Sequence, residues 1–200
     1  MTKSDQVVIG LRARTGRAIA VVLAGTAVGP HVVKKLEIKL VDPRIPATFQ
    51  PYHEVMGLPW EDGQKAVRVH TRAIEVVARK AVTKLIKELQ SAGMTVTGVG
   101  VVGSKDRALD RIGNYHIRAH AAEGILFRRV LELAAEAHKL PTRTFSEQEL
   151  AQSSLVELKT SSVQMKNDLK ALGRRLAPPW RTDEQQAANA AWLMLSVKRG

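Results

Sequence analysis

At 200 residues and 44% apolar composition the chain has enough material for one ordinary hydrophobic core, and 31 Lys plus Arg against 19 Asp plus Glu leave a net charge of +12. The first hundred residues carry 15 basic and 8 acidic side chains and the second hundred 16 and 11, so no tail holds the excess; a polyanion is the favoured partner, nucleic acid before an anionic membrane surface. The absence of cysteine excludes disulfides, thiolate nucleophiles, Cys-type zinc sites and iron–sulfur clusters, so any metal must rest on His, Asp or Glu.

Met1 to Gln6 lead into Val7-Val8-Ile9-Gly10-Leu11, an apolar run too short for a signal-peptide core, and no stretch nears the roughly 18 apolar residues of a membrane span. A cytoplasmic protein with no membrane partner is expected. Val7–Leu11 and Ala18–Ala24 are continuous apolar runs, the pattern of strands buried on both faces. His31 to Val41 alternates, as a strand nearer a sheet edge does, and completes a three-strand meander. Between the first two strands, Arg12, Arg14 and Arg17 surround Gly16 and are candidate anion ligands, a solvated turn being the alternative.

Residues 42–63 hold Pro43, Pro46, Pro51 and Pro59, a density that forbids helix and central strand. A long surface loop is expected, pinned by Phe49, Tyr52 and Trp60, or else presenting Tyr52, His53 and Trp60 to a protein partner or a second copy. From Gln64 to Ala92 apolar residues recur at helical spacing through Ala66, Val69, Ala73, Val76, Val77, Ala81, Leu85 and Leu89. Lys65, Arg68, Arg72 and Arg79 fall on another stripe of the same helix, able to track a phosphate backbone or simply to be solvated. Met94 to Gly103 reads as a central strand whose glycines admit close approach of other backbone.

A second helix, Tyr115 to Leu140, has an apolar face that includes Ile117, Leu126, Val130 and Leu133, and Pro141 stops it. Thr142–Phe145 is a short edge strand. Ser146-x-x-Glu149, Ser161-x-x-Gln164 and Thr182-x-x-Gln185 are capping-box patterns that each open a helix, giving a helical part over 146–198. On the second helix His116, His120 and Glu123 stand at i, i+4 and i+7 and share one face near its start. They are the candidate catalytic residues, with His116 and His120 the candidate metal ligands; an anion-contacting or pH-sensitive pair and plain structural histidines are the alternatives.

The order strand, strand, strand, helix, strand, helix, strand and then helices implies a single α/β domain over 1–200 with a mixed five-stranded sheet flanked by helices. Together with Val8-Ile9-Gly10-Leu11 and Asn189-Ala190-Ala191-Trp192-Leu193-Met194-Leu195, this order resembles the ribonuclease-H-like superfamily and, within it, the bacterial Holliday-junction resolvases. The resemblance implies metal-binding carboxylates from the first strand, the fourth strand and the last helix. Those places hold Arg12, Gly103 or Ser104, and Asn189, with Asp183 and Glu184 as possible displaced acids. The related actin-like ATPases share a Gly-Thr turn that Thr15-Gly16 resembles weakly, but their acid and second phosphate loop are missing.

The leading expectation is therefore a pseudoenzyme that binds nucleic acid through a basic surface and needs no cofactor. The alternatives are a divergent nuclease using Mg2+ or Mn2+ at a rearranged site, and a structural or partner-binding protein.

Overall fold

The computed structural model describes residues 5–197. Strands β1 (Asp5–Arg14), β2 (Arg17–Gly25), β3 (Pro30–Lys39), β4 (Met94–Val102) and β5 (Thr142–Phe145) form one sheet in the order β3-β2-β1-β4-β5. The first three are antiparallel neighbours, β4 runs parallel to β1, and β5 parallel to β4. Connection length accounts for this: two residues suffice to reverse the chain between β1 and β2, whereas a parallel neighbour requires a helical crossover.

The helices are α1 (Trp60–Ala66), α2 (Arg68–Ser91), α3 (Tyr115–Glu136), α4 (Glu147–Glu157), α5 (Ser162–Leu172) and α6 (Thr182–Ser196). Alternation along β1 sends Val7, Ile9 and Leu11 into a core with Ile74 and Leu85 of α2 and Phe127 and Leu131 of α3. Val8 points the other way, to a second core with Met165 and Leu169 of α5 and Ala187 and Ala191 of α6. The sheet is thus covered on both faces, as its continuous apolar runs require.

One contact fixes α6 against the strands. A Cβ on Gly100 of β4 would lie 2.6 Å from the carbonyl oxygen of Ala190, and one on Gly10 of β1 would lie 2.9 Å from the backbone nitrogen of Ala191. Only glycine lets helix backbone rest so near the sheet, and the Ala-rich stretch Ala187 to Ala191 supplies the thin helix face that matches it.

Several boundaries differ from the sequence reading. The proline-rich segment contains a 3-10 turn at Pro46–Thr48, and its last residues already belong to α1. Pro59 precedes that helix without interrupting it, and Glu61 and Asp62 complement the positive end of its dipole. The buried face of α2 is formed by Ile74, Ala78, Val82, Leu85, Ile86 and Leu89. Val69 and Val76, expected in the core, are exposed, as is Ile117 on α3, because tertiary contact selects a different stripe from the one hydropathy alone suggests.

Serines 146 and 161 cap α4 and α5, each accepting from the backbone N–H three residues on. Only the first forms a full box, since the Gln164 amide turns to Asp168. The cap of α6 falls on Arg181, whose N–H donates to Glu184 at 2.8 Å, one residue earlier than Thr182 and Gln185 predict. Lys198, the end of the expected helical part, and Met1 to Ser4 lie outside the described residues. No helix among the described residues is long and apolar enough to cross a membrane.

Candidate functional site

The parallel pair β1 and β4 ends at Arg12 and Val102, which are register partners. There the loop that follows β4, α3 and the start of α4 meet around an open cavity of about 480 Å³, lined among others by Arg12, Arg14, Ser104, Lys105, Arg107 and His120. In open α/β sheets this end of the strands is where ligands sit.

Arg12 is only 3% exposed. Its guanidinium bonds Glu147 in the first turn of α4 and lies 3.7 Å from Asp183 in the first turn of α6. Its Nε is buried with no hydrogen-bond partner. Burial and the neighbouring Arg14 lower the pKa of Arg12, against the raising effect of Glu147 and Asp183. Arg14 holds Asp183 through Nε at 3.0 and 3.1 Å and Nη2 at 2.6 Å, and Arg17 holds Glu37 at 2.6 Å. Burial pushes the Asp183 carboxyl up, yet Arg14, Arg12 and Arg17 together hold it below its usual value. Each arginine of the opening turn is thus met by a carboxylate from elsewhere in the chain.

The other places named by the resemblance differ from one another. Ser104 lines the cavity. Gly103 lies under the aliphatic stem of Arg128, where a Cβ would come within 2.7 Å. Asn189 faces the interior, its Oδ1 accepting from Ser154 Oγ at 2.8 Å, and serves to join α4 to α6. Asp183 does arrive at the strand ends as a displaced acid, but Arg14 already bonds both of its oxygens. A further network, unsuspected from sequence, ties the buried Arg128 to the buried Glu132 and to the exposed Asp106 of the loop that follows β4.

Next to the cavity the proline-rich segment meets α3. Asn114 caps α3 by accepting from the Ile117 N–H at 3.0 Å, which sets His116 and His120 on its first turns. Both histidines are exposed, and between them reaches His53 from the segment: ring centroids are 4.4 Å apart for His53 and His120, 5.1 Å for His53 and His116, and 4.4 Å for the helical pair. Glu123 does not stand beside the exposed imidazoles as the i+7 spacing suggests. It is wholly buried behind His53, accepting from Nδ1 at 2.8 Å and from the backbone N–H at 3.3 Å. Burial together with the Glu123 charge raises the pKa of Tyr52.

The aromatic residues of the segment serve this docking. Tyr52 stacks on Trp60 at 5.8 Å, and Arg118 of α3 lies 5.3 Å from the rings of both Trp60 and Tyr115. Tyr52, His53 and Trp60 are consequently half-buried, which corrects the reading of them as exposed.

The basic residues of α1 and α2 separate into two groups. Lys65, Arg68 and Arg72 line an open cavity of about 720 Å³ that Tyr52 also borders. Tyr52 on its border is followed in the chain by His53, whose ring packs against His120 of the strand-end cavity. Arg79 lies further along α2 in a groove with Lys34, Lys80, Lys84 and Lys87. The four-residue stripe read from sequence is therefore divided, because α2 runs antiparallel to β4 and carries its later turns toward the opposite end of the sheet.

No family model and no curated protein matches the chain. Among solved structures, that of Thermus thermophilus RuvC in complex with Holliday junction substrate is similar at a TM-score of 0.53 and 12% identity, over 96% of this chain and 93% of that one. A second Thermus thermophilus RuvC structure gives 0.54 and 12%, over 95% and 93%. At this identity the likeness is one of fold, and it extends over nearly the whole of both chains.

Proposed function

We propose that this chain, which has the ribonuclease-H-like fold of the resolvases, is a non-catalytic module that binds nucleic acid at the carboxyl ends of β1 and β4 and along the end of α1 and the start of α2. The observation that carries the reading is Arg12, a buried cation paired with Glu147 and Asp183 at the strand end. Two-metal phosphodiester cleavage needs carboxylates free to hold divalent cations there. A guanidinium in that place repels them, and the acids nearest to it already have partners.

What remains suits a polyanion. Lys105 and Arg107 line the cavity at the strand ends, and Lys65, Arg68 and Arg72 line the one beside Tyr52. Lys65 makes only an exposed 3.2 Å pair with Asp62, a contact weak enough to exchange for phosphate. Since one similar RuvC structure contains Holliday junction substrate, a four-way DNA junction is the first ligand to try, with a linear duplex of the same sequence beside it.

Fluorescence anisotropy across a salt series tests this. The expected result is a logarithmic affinity that falls linearly with the logarithm of salt, by about 0.9 per phosphate neutralised on duplex DNA. Lys65→Glu, Arg68→Glu and Arg72→Glu should each weaken binding and flatten that slope. Absence of binding at low salt, or affinity indifferent to salt, would overturn the proposal. Junction cleavage supported by Mg2+ or Mn2+ would instead favour the divergent-nuclease reading.

A further inference from the structure

Glu123 presents an unusual combination. It is fully buried, one carboxylate oxygen accepts both bonds from His53, and the other, Oε2, has no partner. A carboxylate left so sparsely bonded in the interior is stabilised as an anion by positive charge nearby, because it has lost the water that would otherwise solvate it. His53 Nε2 is likewise buried and without a hydrogen-bond partner. A histidine whose Nδ1–H is fixed on a carboxylate and whose Nε2 is left over has the tautomer and orientation of a metal ligand backed by an outer carboxylate.

The other two ligands stand beside it. One ring nitrogen each from His53, His116 and His120 can be chosen so that all lie within 4.8 Å of one another. Tetrahedral zinc, at about 2.0–2.1 Å from each nitrogen, requires separations near 3.4 Å. His116 and His120, exposed and one helical turn apart, can close that difference by side-chain rotation while Glu123 holds His53 still.

We propose that His53, His116 and His120 bind one zinc-type transition-metal ion, with Glu123 as the outer carboxylate that fixes His53 and balances the ion's charge. Three imidazoles select a borderline metal such as Zn2+ over Mg2+, which takes oxygen ligands. Exposure of His116 and His120 leaves a fourth position to water or to an anionic ligand, and His120 places it at the margin of the basic cavity. The ion would also tie the proline-rich segment 42–63 to α3, a connection the protein side chains make through Glu123 with His53 and Arg118 with Trp60.

Untagged full-length protein, stripped with chelator, would be titrated with ZnCl2 by calorimetry and with Co2+ by visible absorption. One ion per chain is expected, with the strong absorption of four-coordinate cobalt. His116→Ala together with His120→Ala, both on an exposed face and checked for folding by circular dichroism, should weaken Zn2+ binding at least 100-fold. Glu123→Gln should weaken it about 10–100-fold, and His31→Ala, elsewhere on the surface, should leave it unchanged. No saturable binding, equal binding by the double variant, or preference for Mg2+ would overturn the proposal. The measurement contains no DNA, so its outcome is separate from that of the nucleic-acid reading.

Discussion

Placing one methyl group at Gly100 tests the seating of α6, on which the strand-end site depends. In Gly100→Ala the new Cβ would stand 2.6 Å from the Ala190 carbonyl oxygen, 2.9 Å from its carbonyl carbon and 3.0 Å from its Cβ, whereas ordinary contact begins at 3.4 Å. Two of these three atoms are helix backbone, so no rotamer change relieves the overlap. The helix must withdraw by about 0.8 Å, opening gaps along Ala187, Ala191 and Leu193. Overpacking of this kind costs about 1–3 kcal/mol, which for a chain of this size lowers Tm by about 2–12 °C. Gly10→Ala meets the helix backbone more closely still and should cost more, while Gly29→Ala, with nothing within 4 Å, should be nearly neutral. Urea unfolding followed by circular dichroism gives the three midpoints at constant slope. If Gly10→Ala and Gly100→Ala both fell within about 0.5 kcal/mol of the parent, α6 could not lie where it is described, and the delivery of Asp183 to Arg12 and Arg14 would lose its basis.

Three further outcomes follow from individual contacts. Ser154→Ala deprives the buried Asn189 carbonyl of its donor and should cost about 1–3 kcal/mol in the same assay. Asp183→Asn should destabilise the chain at neutral pH; because the folded-state pKa of Asp183 is depressed, its contribution is complete above the unfolded value near 3.8 and is lost as pH falls through the folded one, so the gap between variant and parent should close on acidification. Asp42, held down to about 2 by side-chain and backbone hydrogen bonds from Arg44, should show that midpoint in a carboxyl NMR titration and return toward 3.8 in Arg44→Ala; an unshifted midpoint in the parent would refute the clip.

The strands were legible because their signals are local. Apolar runs marked β1 and β2, and a four-residue β-prone stretch after Pro141 marked β5 to the residue. Serines 146 and 161 announced α4 and α5 by a hydrogen bond that spans three residues. The meeting of distant side chains was not legible. Arg12 and Glu147 are 135 residues apart, and Arg14 and Asp183 are 169 apart, so the pairing that neutralises the opening turn depends wholly on the sheet order. His116 and His120 could be read as a pair from helical spacing. Their third member could not, because His53 lies in a segment without periodicity and is held there by Glu123, 70 residues away. The helix spacing pointed to Glu123 but assigned it the wrong neighbour, since periodicity gives the face of a helix and not what covers it.

Arg12 is in effect a tethered counter-ion. A site that takes its cations from solution responds to chelators and to the supply of metal, and its charge rises and falls with occupancy. A guanidinium fixed to β1 and clamped by Glu147 and Asp183 has neither sensitivity, and arginine keeps its proton across the physiological pH range. The charge that Arg12 places at the end of β1 is therefore constant and set by the covalent chain, whatever the occupancy of the neighbouring histidine cluster.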